Sequence, residues 1–247
     1  MASYTPRWRL ARLIMADAEA ILRASRRPLV IGIGGGGDVV GALASAELAR
    51  IYDQADPLVG GLSWERRPID PVPGPRRVDE IEGAETVAPG ILLAGARTRV
   101  RGREVYFAES MMAGFLGRPT LLITIDEGPA AIAHGLEQAL GELQGDLLLF
   151  IDVGGDVLAQ GDEPVLRSPL CDAILLAAAQ RLAAAGHPVL LGIFGVGCDA
   201  ELSSEEVLAR LGEIAAASGW CGVRGLTEPV ATRLEQAIEF VPTEASA

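Results

Sequence analysis

The sequence predicts an α/β fold, with helices covering both faces of a mostly parallel β-sheet. Three observations predict it. Near-continuous apolar runs alternate with helix-length amphipathic segments along the whole chain. Those runs (PLVIGIG, PTLLITID, DLLLFID, PVLLGIFG) lack the polar alternation of a half-exposed strand, as expected of strands buried on both faces. Most of them end in glycine or an acidic residue, the composition of a strand turning into a helix.

The elements follow in order. A first amphipathic helix is expected over about 7–26; Asp17 and Glu19 argue against a basic targeting segment. Strand 28–34 leads through Gly34-Gly35-Gly36-Gly37 into a helix from Asp38 to about Asp53, and 57–63 reads as a second strand. Residues 64–83 are too rich in Pro and charge for a regular element and read as a long loop of the functional kind. ILLAG (91–95) is a short strand, and TRVRGREVYF predicts a small inserted hairpin turning at Arg101-Gly102. A helix near 109–116, strand 119–126, helix 129–143, strand 146–152, helix 169–185, strand 188–195 and helices near 203–218 and 227–238 complete the pattern. The closing VPTEASA reads as a helix start with Thr243 at the N-cap, so the expectation is a chain cut short or frayed there. With 247 residues and no low-complexity linker, one domain spanning 1–247 is expected.

Composition narrows the chemistry. All 21 basic residues are Arg, with no Lys and no Asn. Without Lys there is no Schiff-base chemistry, and the glycine run cannot be a Lys-containing phosphate loop. A net charge of −12 argues against nucleic-acid partners and anionic membranes, and no apolar run approaches a membrane span. Three cysteines without CxxC spacing make neither a disulfide framework nor a structural zinc site. A cytoplasmic protein acting on a small molecule is expected; its oligomeric state stays open.

Candidate site residues lie at the carboxyl ends of the strands, where ligands bind in open α/β sheets. Gly34, Gly35, Gly36 and Gly37 suit backbone amides approaching an anion, helped by the following helix N-terminus, although the Asp38 carboxylate complicates that position. Glu65 and Arg66 end the second strand, Asp126 and Glu127 the run at 119–126, Asp152 and Asp156 the run at 146–152, and Asp199 and Glu201 the run at 188–195. Any one alone is more often a cap or turn residue. Together they call for a cation, shared protons or a hydroxyl-rich ligand. Asp152, Asp156 and Asp38 are therefore the expected metal ligands, with Mg²⁺ the expected ion. Asp152, Asp156 and Asp126 are the expected acid-base groups. Arg66, Arg67, Arg76 and Arg77 either recognise an anion or pair with Asp79 and Glu80 on the surface. Glu109 and Ser110 read equally as a helix cap and as site residues.

The runs IGIGGGGDVVGA, SWER, DVGGD…E…SPLCDA and the G-x-G-x-D-x-E pattern at 195–201 together resemble the conserved prokaryotic domain-of-unknown-function family 1152, from about 28 to 247. The family pattern has Gly between its last two acids, where this chain has Ala200, and continues beyond a segment like PTEAS. The resemblance implies a Rossmann-like fold and no reaction. Three functions follow as expectations. The first is a metal-dependent hydrolase or transferase for a nucleotide-like or phosphorylated small molecule. The second is an NAD(P)-dependent oxidoreductase with Glu65 toward the ribose, and the third a non-catalytic ligand-binding or assembly protein.

Overall fold

The structure is a computed structural model and describes residues 17–72 and 74–241. The expected helix start at Thr243, and the part of the expected first helix before Asp17, lie outside them. The elements are α1 (Ala18–Ala24), β1 (Pro28–Gly32), α2 (Asp38–Tyr52), β2 (Leu58–Leu62), β3 (Ile81–Ala88), β4 (Ile91–Val100), α3 (Ala108–Leu116), β5 (Thr120–Ile123), α4 (Pro129–Glu142), β6 (Leu147–Val153), α5 (Leu170–Ala184), β7 (Val189–Phe194), α6 (Ser204–Ala216) and α7 (Glu228–Phe240). One seven-stranded sheet runs in the order β3-β4-β5-β2-β1-β6-β7. Strands β5, β2, β1, β6 and β7 are parallel; the β3–β4 and β4–β5 pairs are antiparallel.

Burial explains the apolar runs. β1, β2, β5 and β6 are buried along their whole length. Alternate residues of one strand serve opposite faces. Leu29 and Ile31 join Leu136 and Leu140 of α4 and Leu175 and Leu182 of α5 in one core. Val30 joins Val39 and Leu43 of α2, Met112 of α3 and Leu234 of α7 in the other. The sheet is thus the middle of three layers. No helix among the described residues is long and apolar enough to cross a membrane.

The antiparallel end corrects two expectations. Residues 81–88 form an edge strand, not the end of a loop, and β3 pairs with β4 through a tight turn at Pro89-Gly90. β3 reads IEGAETVA, with Glu85 exposed and Glu82 half-buried in an ion pair with Arg99. Charges on an edge strand discourage further pairing, and they obscured the strand in the sequence. β4 also runs five residues further than ILLAG. The expected hairpin at Arg101-Gly102 survives only as a bridge between Arg99 and Tyr106.

The sheet places the site. β2 lies to one side of β1 and β6 to the other, so the chain reverses its direction of build between β1 and β6. Loops leaving two such strands part in opposite directions and open a crevice at their carboxyl ends.

Candidate functional site

The glycine turn after β1 is shaped by Asp38. The Gly34 amide donates to Asp38 Oδ2 at 2.8 Å, and the Val153 amide, at the end of β6, donates to the same oxygen at 3.3 Å. Asp38 thereby ties together the two strand ends that flank the crevice. A Cβ on Gly32 would lie 2.4 Å from the Asp38 carbonyl carbon, and one on Gly34 would lie 2.6 Å from Asp38 Oδ2. Gly35 and Gly36 take φ of +83° and +57°, conformations that favour glycine. Much of the glycine run is thus required to seat α2 against β1. Two of its amides are used internally: Gly34 binds Asp38, and Gly37 donates to the Gly35 carbonyl at 2.7 Å.

The penultimate residue of β6 is Asp152, whose side chain is fully buried. Its Oδ2 accepts from the Val157 amide at 3.4 Å; its Oδ1 has no partner. Gly154 and Gly155 turn with φ of +113° and +124° into the short 3-10 turn at Asp156–Leu158. Asp172, in the first turn of α5, is 1% exposed, and neither of its carboxylate oxygens has a partner. Asp38, Asp152 and Asp172 each offer an oxygen within 4.8 Å of the other two. A second group, Asp156, Asp199 and Glu201, meets the same distance.

Burial and mutual repulsion dominate the electrostatics. Burial raises Asp38 to about 7, opposed by its two amide donors. Burial, then the charges of Asp172, Asp38 and Asp156, pushes Asp152 to about 10. Asp172 rises to about 9 through burial and the charges of Asp156 and Asp38. Asp156 is raised to about 6, chiefly by burial. Glu201 differs. Despite burial it is held below the ordinary range by Ser168 and the Arg167 and Ser168 amides. Glu201 therefore pins the loop after β6 and is not an open ligand.

Of the loop arginines, one reaches the site. The aliphatic part of Arg66 lies over Gly36, with Cγ 3.1 Å from where a Cβ would stand. Its charge favours ionisation of Asp38 and Asp199. Arg76 is buried and bound to Asp70, Glu80 and the Val72 carbonyl, so it staples its own loop. Arg77 pairs with Asp79 and Glu80 at the surface.

The structure thus brings together Asp38, Asp152, Asp156 and Asp199, with Gly34–Gly37 and Arg66 beside them. It does not bring in Asp126, which is exposed at the end of β5, three strands from β6. Glu65 is buried and gives Oε1 to the Ala108 amide at 2.6 Å, so it caps α3 and does not face the crevice between β1 and β6. Glu109 and Ser110 are not caps; both are buried, with an orphan oxygen each. Asp172 stands in the triad where Asp156 was the expected third ligand. An acid in the first turn of a helix reads as a favourable dipole partner, and only burial distinguishes it. Cys171, beside Asp172, is pushed up to about 12 by burial and the acids around it, which makes it a poor nucleophile.

A family model described as a protein of unknown function, DUF1152, matches residues 29–247. No curated protein and no solved structure matches the chain.

Proposed function

We propose that this chain, which belongs to the DUF1152 family of proteins of unknown function, is a metal-dependent hydrolase or transferase acting on a phosphorylated or nucleotide-like small molecule at the β1–β6 crevice. One observation carries the reading. Asp38, Asp152 and Asp172 converge within 4.8 Å, and three of their oxygens are buried without a partner. Buried carboxylates left unpaired are costly, and a hard divalent cation with oxygen ligands removes that cost. Mg²⁺ is the expected ion, because it takes a few carboxylates and completes its shell with water and substrate phosphate.

Each residue then has a part. Asp152 and Asp172 supply the free oxygens, and Asp38 supplies the carboxylate already fixed by two amides. A cation there acidifies a bound water and screens the charge on a transferring group. Asp156, raised to about 6, is the candidate general base, since a group titrating near neutrality both takes and releases a proton readily. Arg66 and the N-terminus of α2 favour an anion over the glycine turn.

The test is thermal unfolding of chelator-treated protein with Mg²⁺ or Mn²⁺, alone and with nucleotides and sugar phosphates. A cation at 100 times its dissociation constant contributes about 2.7 kcal/mol, or roughly 5–10 °C for a chain of this size. The shift is expected in the wild type and absent from Asp152→Asn. No shift with any cation or ligand in the wild type would remove the reading.

A further inference from the structure

We propose that Glu65 and Glu109 form a second cation pocket, for a divalent metal ion, at the carboxyl end of β2 beside the Asp38 triad. The pocket uses side chains outside the triad, and it extends the metal-dependent reaction proposed above.

The start of α3 brings two acids into one neighbourhood. Glu65 follows β2 and fixes its Oε1 on the Ala108 amide at 2.6 Å. Glu109 is the next residue along that helix and is 1% exposed. Its Oε1 occupies the space that a side chain at position 61 would need: a Cβ on Gly61 would stand 2.1 Å from it. Glycine at 61 is therefore what admits the carboxylate. A backbone hydrogen bond from Leu62 also reaches this group. Glu109 Oε2 is buried with no partner at all.

The groups that act on this pair are mostly acidic. Both carboxyls are raised by burial, and the charge of Glu65 raises Glu109 further. Asp70 acts against ionisation of Glu65, and Asp38 against that of Glu109. On the other side, Arg66 favours the charged form of Glu65, while Arg76 is spent on Asp70 and Glu80. Glu109 Oε2 is left buried and without a partner among them. Two carboxylates with waters or substrate oxygens are an ordinary divalent site.

The register sets this pocket next to the first. Ile31 pairs with Gly60 across β1 and β2. One step further along, Gly61 stands beside Gly32, whose own Cβ position is filled by the Asp38 backbone. Glu109, at the start of α3, and Asp38, at the start of α2, therefore lie over neighbouring strands.

Mn²⁺ binding to the full chain, freed of metal by chelation and dialysis, tests the pocket, with free Mn²⁺ counted by electron paramagnetic resonance. Two ions per chain are expected in the wild type, one in Glu109→Gln, one in Asp172→Asn and none in the double variant. Glu109→Gln keeps an acceptor for Leu62; should it fail to fold, Glu65→Gln keeps the Ala108 cap and makes the same comparison. One ion in the wild type, lost in Asp172→Asn and kept in Glu109→Gln, overturns this pocket and leaves the triad standing. One ion lost in Glu109→Gln and kept in Asp172→Asn supports this pocket and removes the triad. An unchanged count in Glu109→Gln together with a higher melting temperature means that the pair holds a proton, which also overturns the proposal.

Discussion

Asp172→Asn makes the metal-free protein more stable at neutral pH, and the gain disappears in acid. Asn keeps the size and shape of the side chain and removes the charge. The Asp172 carboxyl titrates near 3.8 in an ordinary setting and is raised to about 9 in the fold, by burial first and then by Asp156 and Asp38. A carboxyl with a raised native pKa binds its proton more tightly folded than unfolded. Its contribution is complete below about pH 4 and is lost as pH rises toward 9. At pH 7 the unfolded chain has released that proton across about three pH units, at roughly 1.4 kcal/mol per unit, an upper bound near 4 kcal/mol. Neighbouring acids share the relief, so about 2–4 kcal/mol is expected, or roughly 5–15 °C in melting temperature. The assay is thermal unfolding in chelator at pH 4.5 and pH 7, followed by far-ultraviolet circular dichroism. Wild type and variant should nearly coincide at the lower pH and separate at the higher one. A variant less stable than the wild type at pH 7 would refute the reasoning, because it would show that the carboxylate makes native hydrogen bonds.

Two further outcomes test the loops that frame the crevice. Ala200 sits between Asp199 and Glu201 with φ of +59°, so Ala200→Gly relieves left-handed strain and should raise stability by about 0.5–1 kcal/mol in chemical denaturation. An unchanged or lower denaturation midpoint would count against strain there. Gly154→Ala places a Cβ 2.1 Å from the Asp199 carboxyl carbon at a φ of +113°. It should cost about 2 kcal/mol or more and reduce cation-induced stabilisation; a fully stable variant would mean that Asp199 can move aside freely.

The sheet was legible wherever burial is two-sided. The runs behind β1, β2, β5 and β6 are apolar at nearly every position because both faces are covered, and their expected limits fall within a few residues of the observed ones. β3 was illegible for the opposite reason. One edge strand with Gly83, Glu85 and Thr86 exposed carries no two-sided apolar signature, and it follows a Pro-rich stretch that does form a loop. The Arg101-Gly102 turn was a sound local signal outweighed by pairing: β4 finds partners in β3 and β5, and little chain remains after the turn to extend a second hairpin.

The site was legible as an edge and not as a constellation. Acids at five strand ends mark the carboxyl edge of the sheet, but strand order decides which of them meet, and order is not written in local pattern. Because β1 neighbours β6, Asp38 reaches the Val153 amide across 115 residues, while Asp126, in the loop beyond β5, is left in solvent. The same order changes the meaning of the glycines. Four in a row suggest an anion cradle, yet Gly32 and Gly34 are needed chiefly because Asp38 packs on them, and the Gly34 amide is already given to its carboxylate. An anion here must therefore share the turn with a carboxyl that is ionised above about pH 7. A phosphate held only by the remaining amides and Arg66 would sit against Asp38 at a cost. A cation between Asp38 and the phosphate reverses the sign of that contact, so the metal reading and the phosphate reading stand or fall together at this turn.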